Sequence, residues 1–151
     1  MTTPTGFMAR LAPNQRERLH ALARPVTFPP GRRVFDEGEE AGRFWILSEG
    51  SVALDVQAPG RPAPVVETLG PGDLLGWSWF FEPYRWHLGA RTLTAVTAEE
   101  WDAAAVRAAC EQDTAFGYAV AHAVGAVVGQ RLKATRIRLL DLYGPIPGGG
   151  R

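Results

Sequence analysis

Between Pro25 and Trp101 short apolar runs alternate with glycine, proline and aspartate. The runs are Val26–Phe28, Val34–Phe35, Phe44–Leu47, Val52–Val56, Val65–Leu69, Leu74–Leu75, Ala90–Leu93 and Val96–Trp101. Short strands with turn residues at regular spacing predict an antiparallel sandwich or barrel-like roll. The Pro/Gly-rich stretch Gln57–Pro64 reads as a hairpin connection. Ahead of the roll, Leu19 and Leu22 among charged neighbours predict a short helix over Asn14–Leu22, after Pro13.

After Trp101 the texture becomes helical. Asp102–Ala109 reads as a short helix with an aspartate N-cap. Asp113 or Thr114 caps a second helix running to about Tyr143. Phe116, Val120, Ala123, Val124, Val127, Ala134 and Ile137 recur at three- and four-residue steps, and Leu132, Leu139, Leu140 and Leu142 widen the stripe. Some thirty helical residues span about 45 Å. A small β domain cannot cover that length, so part of the stripe is expected to pack on a second copy. Gly144 and Pro145 stop the helix. The organisation is one domain over residues 1–144, with a roll at about 25–101 and helices at about 102–143. A disordered tail is expected over 145–151.

Composition narrows the function classes. Sixteen basic residues balance sixteen acidic ones, so no global field is available for phosphate backbones. The single cysteine, Cys110, cannot close an internal disulfide and is expected to pack as a small hydrophobe in an alanine-rich helix. A reducing cytoplasm fits that usage. Met1–Arg10 has no apolar signal core. The longest apolar run, Phe116–Val128, is interrupted by His122 and is too short to cross a bilayer.

Gly76–Arg91 carries the candidate chemistry. It holds three tryptophans, two phenylalanines, a tyrosine and two arginines. Its setting becomes clear from the motifs around it. Pro30-Gly31-Arg32-Arg33-Val34-Phe35-Asp36-Glu37-Gly38-Glu39 reads as two short strands with turn glycines. Phe44–Val52 reads as a hairpin, and Leu69–Gly76 as a glycine-punctuated strand. Ala90–Val96 and Glu100-Trp101-Asp102 read as closing strands and a helix entry. Together with Gln130–Thr135 in the long helix, their order resembles the cyclic-nucleotide-binding domain of the catabolite-activator (Crp/Fnr-like) family. The resemblance covers roughly residues 7–142. It implies a mainly β fold with flanking helices: an antiparallel β-roll, or double-stranded β-helix, plus a long C-terminal dimerisation helix.

The family pattern also implies a ligand cassette. There a glycine precedes a glutamate that bonds a ribose hydroxyl, a helical turn presents N–H groups, and an arginine about ten residues on pairs with the cyclic phosphate. Here Gly76 matches the glycine. Trp77 stands at the glutamate position, and an indole has no acceptor for a ribose hydroxyl. Ser78 is near enough to bond a ligand oxygen. Arg85 falls close to the arginine's place, Trp86 lies one residue on, and Arg91 sits in the closing strand. Arg85 is the favoured anion partner over Arg91, and either could instead stack on Trp79 or Trp86. Thr135 is the position where the family's long helix meets the base. The implied ligands are a cyclic nucleotide or another small anion. The competing expectation is a pocket filled by its own aromatic rings.

Other chemistries are weaker. A cupin-type metal enzyme needs clustered histidines and a carboxylate, whereas His20, His87 and His122 are scattered and no metal set is expected. His87, beside Glu82, reads as a structural histidine. Gly70-Pro71-Gly72 lacks the lysine of a P-loop. Arg131, Lys133, Arg136 and Arg138 read as a solvated basic helix face. The expected function is therefore non-enzymatic: a sensor or regulator binding a small anion in the roll. It would form a homodimer through the long helix and signal to a protein partner. Only Pro145–Arg151 follow that helix, so no recognition helix and no DNA binding are expected. The alternative is a ligand-free dimeric scaffold or accessory subunit.

Overall fold

The computed structural model describes residues 6–57, 60 and 64–143. The tail at 145–151 and part of the 57–64 connection lie outside the described residues. A 3-10 turn, Met8–Arg10, leads to helix α1, Pro13–His20. Eight strands follow: β1 Arg24–Phe28, β2 Arg33–Phe35, β3 Arg43–Glu49, β4 Val52–Asp55, β5 Val65–Leu69, β6 Leu74–Leu75, β7 Gly89–Thr92 and β8 Val96–Asp102. Helices α2, Ala103–Gln112, and α3, Thr114–Tyr143, close the chain.

The strands form two four-stranded antiparallel sheets, ordered β1-β8-β3-β6 and β2-β7-β4-β5. This is the expected roll. Consecutive strands tend to lie in opposite sheets, so the chain winds around one core. The eight expected runs all appear, shifted by one or two residues where polar end residues still complete the ladder, as Arg43↔Asp102 does for β3 and β8. Helix α1 starts at Pro13 and stops at His20, short of the expected Leu22.

The core is aromatic. Phe44 stacks between Trp79, at 3.9 Å, and Trp101, at 5.1 Å. Buried indoles need partners for their N–H groups. Trp79 Nε1 donates to the Gly76 carbonyl at 3.0 Å, Trp101 Nε1 to the Leu19 carbonyl at 2.8 Å, and Trp45 Nε1 to Glu100 at 2.9 Å. The Trp101 bond pins α1 to the roll. Glu100 is buried, and Arg24 neutralises it at 2.5 Å.

Asp102 caps α2, accepting from the Ala104 and Ala105 amides. Asp113 caps α3 through the Ala115 and Phe116 amides. Of the two caps the sequence allowed for the long helix, the aspartate takes the role. Phe116, Val120, Ala123, Val124 and Val127 are buried, as their spacing predicts. Leu132, Ile137 and Leu140 on the same helix are exposed.

Candidate functional site

The cassette begins where β6 ends. Gly76 has φ +96°, and a Cβ there would lie 2.5 Å from the Trp86 ring. Glycine is required on both counts: the backbone is left-handed and the neighbour already fills the space. Ser78–Phe80 then form a single 3-10 turn. The segment after it is held by backbone bonds to residues 38–41. Trp86 N–H donates to the Glu39 carbonyl at 2.9 Å, Gly38 N–H to the Trp86 carbonyl at 2.8 Å, and Ala41 N–H to the Tyr84 carbonyl at 2.7 Å. From the outside, Arg107 of α2 donates to the Trp79 carbonyl at 2.6 Å and lies 4.0 Å over the Tyr84 ring.

These constraints drive the Trp86 side chain into the roll. It is buried, stacks on Phe35 at 4.0 Å, and comes within 6.4 Å of Trp45. Around it lies a hollow lined by Phe35, Leu54, Gly76, Trp77, Ser78, Trp86, His87, Leu88 and Arg131. With its mouth the hollow measures about 270 Å³, but the space free to the centre of a water molecule is about 20 Å³. That suffices for about one water.

Of the residues singled out in the sequence, Gly76, Trp77, Ser78 and Trp86 meet at this hollow. Arg85 does not line it. Its side chain is exposed and donates to the Gly38 carbonyl at 3.0 Å. Residues 84–86 pair with 39–41 as a short ladder, and alternation along it turns Arg85 outward while Trp86 turns inward. Arg91 is exposed for the same reason, since its β7 neighbour Ala90 is buried. Thr135 is exposed on α3 and does not line the hollow. Trp77 is half-buried at the rim, stacked on His87 at 4.9 Å.

Two residues that the sequence did not mark as ligand-binding also line the hollow. His87, read from the sequence as a structural histidine, has its Nδ1 2.9 Å from the Ser78 hydroxyl. Arg131, expected on a solvated helix face, reaches into the hollow. It donates to the Leu74 carbonyl and approaches Glu67 at 3.8 Å. Burial pulls the Arg131 pKa below its ordinary value, against the field of Glu67 and then Asp73. Burial pushes the Glu67 carboxyl up, against Arg131. The signal for Arg131 was its spacing. It follows Val124 and Val127 by seven and four residues, on the buried stripe.

Among the described residues no group of three His, Cys, Asp or Glu side chains is placed to hold a metal ion. None of the described helices is long and apolar enough to cross a membrane.

A two-sheet antiparallel roll with a glycine-entered cassette and a long trailing helix is the architecture of the cyclic-nucleotide-binding type of domain. The chain belongs to the cyclic nucleotide-binding domain family, whose model matches residues 25–113, more than half of its length. It is 29% identical over 144 residues to the CRP-like cAMP-activated global transcriptional regulator of Mycobacterium tuberculosis, covering 95% of this chain and 62% of that protein. The chain thus spans less than two thirds of that relative. In fold it is similar to a cyclic nucleotide-binding domain from Methylobacillus flagellatus, with TM-score 0.80, 11% identity and coverage of 89% and 79%. It is likewise similar to the Thermus thermophilus catabolite activator protein, with TM-score 0.74, 20% identity and coverage of 92% and 63%. The family is a regulatory one, and the fold supports a regulatory or sensor role.

Proposed function

We propose that this chain is a non-enzymatic regulatory domain whose roll is filled by its own Trp86 and works without a cyclic nucleotide. One observation carries the reading: the Trp86 indole lies against Gly76 and Phe35 and leaves about 20 Å³ free. The residues present do not fit a cyclic nucleotide. Trp77 offers a ribose no acceptor, and the guanidinium of Arg85 is committed outside, to Gly38. Isothermal titration with cyclic AMP and cyclic GMP at millimolar concentration is expected to give no saturable heat. Saturable binding to the unaltered chain would overturn the reading.

A second reading has its own support. Ser78, His87 and Arg131 all line the hollow, and Ser78 bonds His87, polar groups of a kind suited to a small oxyanion rather than a nucleotide. It predicts a thermal-shift response to inorganic phosphate that Ser78→Ala removes.

The output surface is the long helix. Tyr118, Leu132 and Leu140 are exposed. They share a stripe with Gly125 and Gly129, where added Cβ atoms would meet nothing within 4 Å. Small residues between exposed apolar ones let a second helix approach closely, which supports a homodimer through α3. Leu132→Glu is expected to lower the sedimentation mass toward that of one chain, and an unchanged mass would count against this surface.

A further inference from the structure

A second cleft lies at one end of the first sheet, where β1 and β3 begin and β8 ends. Leu22, Arg24, Arg43, Glu100 and Asp102 line it, and it shares no residue with the hollow beside Trp86. With its mouth it measures about 500 Å³, and about 240 Å³ is free to the centre of a water molecule. The hollow offers about 20 Å³ on the same measure. Strand register builds the cleft. Arg24, Glu100 and Trp45 stand opposite one another across β1, β8 and β3, and Arg43 stands opposite Asp102 two places on. The two-residue alternation of strands puts all five on one face of the sheet.

The hydrogen bonds leave this cleft with spare donors and few spare acceptors. Glu100 is buried, and both its oxygens are used. Oε1 accepts from Arg24 Nε at 2.7 Å, and Oε2 accepts from Trp45 Nε1 at 2.9 Å. Asp102 Oδ1 accepts from the Ala104 and Ala105 amides of α2. A guanidinium has five N–H donors. Arg24, 64% exposed, turns Nε and one terminal nitrogen to Glu100. Arg43, 59% exposed, has a 3.7 Å approach to the same Oε1 and no hydrogen bond among the described residues. Because both approach one oxygen, the two guanidinium groups are near enough to share a ligand. The exposed Leu22 side chain gives the cleft an apolar wall.

We propose that this cleft binds a small monocarboxylate with a short apolar tail. The carboxylate takes the free N–H groups of Arg43 and the outer N–H groups of Arg24, in the paired geometry that guanidinium and carboxylate share. The tail lies against Leu22. Charge selects against more highly charged anions. Two arginines and two carboxylates line the cleft, so it carries no net positive charge. Glu100 and Asp102 therefore repel a phosphate dianion more than a single carboxylate. The site does not depend on how Trp86 fills the roll.

The Trp45 indole N–H reports on the cleft, because it bonds the carboxylate that Arg24 and Arg43 approach. Proton–nitrogen correlation spectra of the full chain follow it during titration with sodium hexanoate at constant ionic strength. The Trp45 indole peak is expected to shift saturably, while the Trp79 peak, bonded to Gly76, stays still. Arg43→Gln should weaken binding about tenfold, and Leu22→Glu should abolish it. Inorganic phosphate should give no saturable shift. Absence of a saturable shift with hexanoate, equal affinity in the Arg43→Gln variant, or an equal response to phosphate would each overturn the proposal. If R43Q does not fold, Leu22→Glu is read in the same way, with the same outcomes. Heat from cyclic nucleotides in the titration above bears on the roll alone, so the two tests fail separately.

Discussion

The ring of Trp86 stands 2.5 Å from the point where a Cβ on Gly76 would be. The two residues are complementary: the missing side chain of one is the space taken by the other. Trp86→Ala should cost about 3–5 kcal/mol, the usual range for emptying a buried aromatic site. Gly76→Ala should cost about 1–3 kcal/mol through left-handed backbone strain and overpacking. Urea unfolding checks both. Indole added to Trp86→Ala is expected to raise its midpoint, because a ligand that binds only the folded state stabilises it. No response to indole would mean the site collapses when emptied.

Glu67 makes stability depend on pH in a defined direction. Burial raises its folded pKa above 4.5, opposed by Arg131 and reinforced by Asp73. The unfolded chain then binds fewer protons than the folded one between the two pKa values, so stability falls as pH rises through that window. Glu67→Gln removes this slope. The difference in melting temperature between the natural chain and the variant should be most favourable to the natural chain below pH 4.5, and should decline as pH rises through the folded pKa. A difference that grows with pH would show that the Arg131 attraction outweighs the burial.

Gly117 sets the distance between α2 and α3. A Cβ at this position would lie 2.5 Å from the Cys110 carbonyl oxygen. That atom is backbone and cannot turn aside. Despite alanine's higher helix propensity, Gly117→Ala should destabilise by about 1–3 kcal/mol through overpacking. Thermal unfolding is the check, and a stabilised variant would mean the two helices part without cost.

Cys110 should be a slow nucleophile. Burial pushes its thiol up to about 11, against an ordinary value of about 8.5. Its alkylation by iodoacetamide in the folded chain should keep rising with pH without levelling off until about 11. A plateau near the ordinary value would show an exposed, unperturbed thiol.

Local pattern decided most of the architecture. Each of the eight strands carries its own apolar run between turn residues, and both helix caps are aspartates next to the elements they start. These are interactions over a few residues, so they are written in adjacent letters. The buried half of α3 was equally legible from its three- and four-residue spacing.

The site was legible only in part. Its location at Gly76–Arg91 followed from the order of motifs, but the identity of its inward-facing residues did not. Arg85 and Trp86 differ by one place, and the pairing of 84–86 with 39–41, more than forty residues away, chooses which of them enters the roll. Charge made Arg131 look like a surface residue, although its spacing put it on the buried stripe. The sequence by itself determined that this chain makes a glycine-turned roll with a long trailing helix and where its cassette lies. Only the tertiary structure decided that Trp86 turns into the roll and that Arg131 lines the hollow beside it. Side-chain direction along a short ladder depends on the register with a distant strand, and no local letter carries that register.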